Sequence, residues 1–225
     1  MRSILRSLQI SANPRRNSRN CSSKPAVIPS WPASGSTGQL LTQIRQDAPF
    51  GVFLAADEDS PQKAIADGFA EQDSLFTYAI GRLVLFSGSL DLSNGADVLR
   101  AGEFDKIAIA NPVTAPYGAA AVQVMKSLGL FERLSPRFVQ GNDIAQTFQF
   151  VQTGNAEIGF VARSQTRQKD PRSVWIVPEN LYSPIRQDAV LLKRAASKEA
   201  ARAFLAFLRS APAIEIIRKY GYGTA

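Results

Sequence analysis

From Gly35 onward, short apolar runs of strand length alternate with longer segments whose apolar residues recur three and four apart, and this alternation leaves few folds open. Ser36-Thr37-Gly38 stands before Leu40, Leu41 and Ile44, a helical stripe behind capping residues. Phe50–Ala56 reads as a buried strand and Pro61–Phe69 as a helix with proline in its first turn. Phe76–Phe86 reads as a strand bent at Gly81, and Ile107–Ala110 as a short buried strand. Tyr117–Leu130 follows as a helix with Val122, Met125 and Leu128 on one face. Asn142-Asp143 caps a helix whose inner face is Ile144, Phe148 and Val151, ended by Gly154. Ile158–Val161, Trp175–Val177 and Ala189–Leu192 are further strands, and Lys198–Arg209 and Pro212–Tyr220 are closing helices with Phe204 and Leu208 inward. Strands alternating with helices predict an α/β fold with a largely parallel sheet.

Composition narrows the chemistry. The chain has 225 residues and no histidine, which removes Ser-His-Asp and Cys-His catalysis and most zinc sites. The single cysteine, Cys21, excludes an internal disulfide. No apolar run reaches the length of a membrane span. The net charge of +7 sits in a tail: residues 1–34 hold Arg2, Arg6, Arg15, Arg16, Arg19 and Lys24 with no acid, leaving the rest near +1. Residues 1–34 therefore read as a disordered basic extension, and nucleic-acid binding has no basic stripe to support it. Arg6 interrupts the apolar residues of the first ten positions and no A-x-A follows, so an export signal is not expected there.

Three junctions place small or capping residues where a helix begins: Ser34-Gly35-Ser36-Thr37-Gly38, Asn111 to Gly118, and Gly141-Asn142-Asp143-Ile144. A helix start offers unpaired N–H groups and partial positive charge, so each could hold an anion without a cationic side chain. None matches a nucleotide-binding glycine loop. Asp57, Glu58 and Asp59 read as a solvated loop with capping duty, and Arg163, Lys193 and Arg194 as solvated charges. Trp175 is expected to pack on the sheet. Nothing assembles a nucleophile, a base and an orienting group, so an enzyme is not expected.

Several segments, in order, resemble the molybdate-binding periplasmic proteins of ABC importers. They include Gly35-Ser36-Thr37-Gly38, Ala48-Pro49-Phe50-Gly51-Val52-Phe53-Leu54-Ala55-Ala56-Asp57, Ile107-Ala108-Ile109-Ala110-Asn111-Pro112 and Ala115-Pro116-Tyr117-Gly118. Asn142-Asp143-Ile144, Gly154 to Val161 and Arg218 to Tyr222 continue the likeness. The resemblance implies a two-lobed periplasmic-binding-protein fold of type II, with one lobe from residues 35–80 and 186–225 and the other from 81–185. Hinges are expected near Tyr78–Arg82 and Ser183–Asp188. It implies a monomer that captures molybdate or tungstate, needs no cofactor or metal, and delivers its ligand to a permease and ATPase from the periplasm. By position, the ligand would be held by Ser36 and Thr37 and by the N–H groups of Tyr117 and Ile144. Ala162 stands where some members carry a ligand tyrosine, and Gly51 where an aspartate is common. Residues 1–34 depart from the family's opening strand, turn and helix, so the first lobe is expected to lack its N-terminal strand. The alternatives are a binder of another oxyanion such as sulfate, and a truncated chain with impaired binding.

Overall fold

A computed structural model describes residues 33, 35–197 and 199–224; the expectations for residues 1–32 and for Ser34 lie outside it. In chain order the elements are α1 (Thr37–Arg45), β1 (Val52–Leu54), α2 (Asp59–Ala66), β2 (Phe76–Gly81), β3 (Leu83–Ser87), α3 (Gly95–Ala101), β4 (Ile107–Ala110) and α4 (Pro116–Ser127). They continue with α5 (Phe131–Leu134), β5 (Phe138–Gly141), α6 (Ile144–Gln152), β6 (Ile158–Ala162), β7 (Val174–Ile176), β8 (Ile185–Leu191), α7 (Glu199–Leu208) and α8 (Ala211–Lys219). Short 3₁₀ turns join several of them. The described residues divide into two compact units, those up to Ala79 together with those from Gln187 onward, and residues 80–186. Both changes of unit fall inside strands, β2 and β8.

The first unit is built on a three-stranded sheet in the order β1-β8-β2, with β1 antiparallel to β8. One side is filled by Leu41, Ile44, Phe53, Ala55 and Val190, the other by Tyr78, Leu191, Leu205, Leu208 and Ile217. The period-two alternation of β8 sends Val190 and Leu191 to opposite faces, and this is why one strand can serve both clusters. α7 buries Leu205 and Leu208 and packs Phe204 against the same cluster.

The second unit holds a five-stranded sheet in the order β5-β4-β6-β3-β7. β4 runs parallel to both β5 and β6, whereas β3 runs antiparallel to β6 and to β7. The expectation of a largely parallel sheet is therefore corrected to a mixed one. Strand direction is set by how distant segments meet, and β3 enters this sheet directly from β2 with no crossover helix between them. All five residues of β3 and of β6 are buried, as strands covered on both faces must be. Leu83, Leu85, Ile107, Ile109, Met125, Ile158 and Phe160 form the core, and Trp175 packs against it as expected.

Other boundaries also move. The bent strand over Phe76–Phe86 is two strands separated at Arg82 rather than at Gly81, whose backbone stays in β2. The strand expected over Phe50–Ala56 keeps three residues, and the one expected from Ala189 begins at Ile185. α3, α5 and β5 were not foreseen: each is short and lacks a periodic apolar run. Gly154 does end α6, just past Thr153, with φ +74, the left-handed position a glycine fills without steric cost. Among the described residues no helix is long and apolar enough to cross a membrane.

Candidate functional site

The predicted residues are contributed by both units. In the first, Ser36 is the N-cap of α1: its hydroxyl accepts from the Gln39 N–H at 3.3 Å, and its own N–H donates to Gln39 Oε1 at 3.1 Å. This reciprocal capping box fixes where the helix starts. Thr37 follows as the first helical residue and is only 7% exposed. Its Oγ1 accepts the N–H of Ala56 at 3.2 Å, just past the end of β1. That bond uses one acceptor lone pair and leaves the hydroxyl hydrogen available to donate.

In the second unit, β4 and β5 are neighbouring parallel strands that end level, Ala110 opposite Gly141, and the Asn111 N–H extends the ladder to Gly141 O at 2.8 Å. Tyr117 and Ile144, the expected donors, therefore stand on the junctions that leave two adjacent strands at the same sheet end, where ligands of open α/β sheets bind. After β4 the chain makes a turn closed by Val113 N–H to Asn111 Oδ1 at 2.9 Å and by Ala115 N–H to Asn111 O at 2.8 Å, then enters α4. Pro116 opens that helix and has no N–H, so Tyr117, 4% exposed, is its first donor. Gly118 lies against the Ala110 carbonyl so closely that a Cβ would overlap it. After β5, Asp143 caps α6 by accepting from Ala145 N–H at 2.9 Å and Gln146 N–H at 2.8 Å. The cap does not take the N–H of Ile144, the first helical residue.

The three junctions carry no lysine or arginine. Their donors are neutral and fixed by backbone structure, which suits an anion held by hydrogen bonds alone. Among the described residues no group of three or more acidic or cysteine side chains could hold a metal ion. A cavity of about 190 Å³ in the first unit is lined by Glu71, Asp73, Ser74, Leu191, Arg202 and Arg209, none of them a predicted site residue. Its carboxylates would repel a dianion, and Arg202 is already paired with Glu71 at 3.3 Å.

Other charged and polar groups meet the expectation in part. Of the acidic run it is Asp57 that caps, accepting from Ser60 N–H at 2.8 Å and Ser60 Oγ at 3.1 Å, while Glu58 makes no side-chain cap. Burial raises the Asp57 carboxyl above its ordinary value against the opposing Ser60 bonds. Arg194 is not simply solvated: it donates to Asp47 O, to Ala48 O at 2.9 Å and to Asp47 Oδ1 at 2.9 Å, binding the loop after α1. Arg163 likewise donates to Thr166 Oγ1 at 3.3 Å. Sequence reasoning overlooked a buried polar group in the first unit: the single hydrogen of the Tyr78 hydroxyl is shared between Ala55 O at 3.3 Å and Gln187 Oε1 at 3.2 Å. Burial, with Tyr222, Asp188 and Asp57 nearby, holds the Tyr78 phenol well above its usual value. Asp188, 5% exposed, has one carboxylate oxygen with no partner among the described residues. Only the polar interruptions of an otherwise apolar β8 signalled this cluster.

The sequence pattern of the bacterial extracellular solute-binding proteins matches residues 32–223. The chain belongs to that family. It is 50% identical over 192 residues to the molybdate-binding protein ModA of Rhodobacter capsulatus, covering 85% of this chain and 76% of that protein. It is also 50% identical over 196 residues to the ModA of Azotobacter vinelandii, covering 84% and 77%. Its fold superposes on the solved periplasmic molybdate-binding protein of Azotobacter vinelandii with a TM-score of 0.80 at 41% identity, covering 86% of both chains. As a solute-binding protein with the two-lobed periplasmic-binding-protein fold, the chain is a carrier rather than an enzyme.

Proposed function

We propose that this protein captures molybdate or tungstate from the periplasm and hands it to an ABC permease driven by an ATPase. The observation that carries the reading is the pair of helix starts at level ends of β4 and β5, with Tyr117 and Ile144 as donors. Thr37, whose hydroxyl hydrogen is not used by the Ala56 bond, and the hydroxyl of Ser36 are the first unit's candidate donors. Half-identical relatives bear the name of molybdate-binding proteins, which supports this choice among oxyanions.

The chemistry is selective for a fully deprotonated ion. A tetrahedral dianion presents acceptors only, and each neutral donor can meet one; a protonated oxygen would bring a hydrogen against a hydrogen. Size then separates molybdate and tungstate from the smaller sulfate.

Thermal unfolding of the full chain with molybdate, tungstate, sulfate and phosphate tests the reading. A ligand at a hundredfold excess over its Kd stabilises by about 2.7 kcal/mol. Molybdate and tungstate should raise Tm by several degrees and sulfate far less. A larger shift with sulfate would transfer the function to that ion, and no shift with any of the four would refute it.

A further inference from the structure

The restraints on the α6 start are nearly all local. Asp143 takes the N–H groups of Ala145 and Gln146, Gln146 Oε1 takes that of Asn142 at 2.7 Å, and the Thr147 hydroxyl donates to Asp143 O at 2.8 Å. These bonds tie the turn to itself. A different restraint comes from 21 residues away: Gln165 Nε2 donates to Ile144 O at 3.0 Å. Gln165 ends the short 3₁₀ turn Arg163–Gln165 that follows β6, and its Oε1 accepts the Ala162 N–H at 3.0 Å. One half-buried carboxamide thus bolts the first turn of α6 to the turn that follows β6.

The two ends of this amide are not interchangeable. Ala162 N–H can only donate and Ile144 O can only accept, so the oxygen and nitrogen are each assigned by their partners. Glutamate could keep the Ala162 bond but would set a carboxylate oxygen against the Ile144 carbonyl. Methionine, of similar length, would keep neither. Gln165 also sits on a turn whose Arg163 N–H is held by Arg82 O at 2.9 Å and whose Thr166 is fully buried, so the bolt has a fixed anchor.

We propose that Gln165 is a positioning residue for the oxyanion: by holding the Ile144 carbonyl it pins the Ile144–Ala145 peptide, and with it the first turn of α6 that carries the Ile144 N–H. The proposal rests on the reading of Ile144 as an anion donor. It predicts that geometry at this donor, rather than overall stability, depends on the Gln165 amide nitrogen. A tetrahedral guest is discriminated by donor direction as much as by donor number, so selectivity should fall together with affinity.

The experiment compares the full unsubstituted chain with Gln165→Glu and Gln165→Met. Molybdate and sulfate Kd values are measured by calorimetry, and amide hydrogen exchange is followed in the ligand-free proteins. Loss of one aimed hydrogen bond corresponds to a roughly three- to tenfold rise in Kd. Both variants should show that rise for molybdate, with a smaller change for sulfate, while exchange at Ala145 and Gln146 speeds up and that of α4 does not. A normal molybdate Kd in Gln165→Glu with a loss in Gln165→Met would place the effect on the Ala162 bond and overturn the proposal. An equal fractional loss for both anions would overturn it as well, since general destabilisation predicts that. Should the unsubstituted chain bind no oxyanion, the functional reading fails by itself; the exchange comparison still tests the bolt, and equal rates in the three proteins would refute it.

Discussion

Thr37 shows how a side chain acquires a binding role from its partners. A threonine hydroxyl can donate once and accept twice, and the Ala56 N–H at 3.2 Å takes one acceptor place while leaving the hydrogen for a guest. Thr37→Ser keeps that arrangement, whereas Thr37→Val removes both the acceptor for Ala56 and the donor for a guest. Isothermal titration should therefore show near-normal molybdate affinity for the serine variant. The valine variant should lose about 1.5–3 kcal/mol of binding, the range of a charge-assisted hydrogen bond. Ser36 differs: its capping box with Gln39 makes it a helix-start residue whatever else it does. The cap was legible from the sequence because Ser36 stands directly before the helical stripe. The Ala56 contact was not, because it spans 19 residues across a strand.

At the scale of elements, the junctions depend on how tightly a helix can leave its strand. α4 can start where it does only because residue 118 has no side chain; a Cβ there would press into the Ala110 carbonyl. Gly141 is held similarly, with Thr147 Oγ1 2.7 Å from where a Cβ would sit. Gly118→Ala should destabilise the chain by about 1–3 kcal/mol, the usual cost of overpacking. It should also displace the Tyr117 N–H, so molybdate affinity should fall by more than the stability loss alone would cause. Denaturant melts with and without molybdate separate the two effects. The glycine was visible in the sequence and its turn was read as a helix start. Its reason, a carbonyl on the preceding strand, became visible only once β4 and α4 were packed together.

Over the whole molecule, two buried phenols couple folding to pH. Burial raises Tyr78 in the first unit well above the ordinary tyrosine value and raises Tyr182 in the second, where the bond to the Leu83 N–H at 3.2 Å works against it. The folded chain thus holds these protons more tightly than the unfolded chain does. That part of its stability is complete below about pH 10 and is lost as pH rises through the folded-state values. Chemical denaturation from pH 8 to 11 should show stability steady at first and falling above about pH 10. Tyr78→Phe should flatten that fall while lowering stability at pH 8 by about 1–3 kcal/mol, because Ala55 O and Gln187 Oε1 lose their donor.

The sequence by itself determined the α/β class, the helix starts at the three junctions, the absence of cationic side chains from those junctions and the absence of histidine chemistry. Each depends on residues close together along the chain or on composition alone. Only the tertiary structure decided that the second sheet is mixed, that β4 and β5 end level, that Thr37 accepts from Ala56, and that Gln165 reaches Ile144. These are pairings between distant segments. A backbone N–H or carbonyl is the same group at every position, so nothing in the local pattern says which one will meet which until the strands are laid side by side.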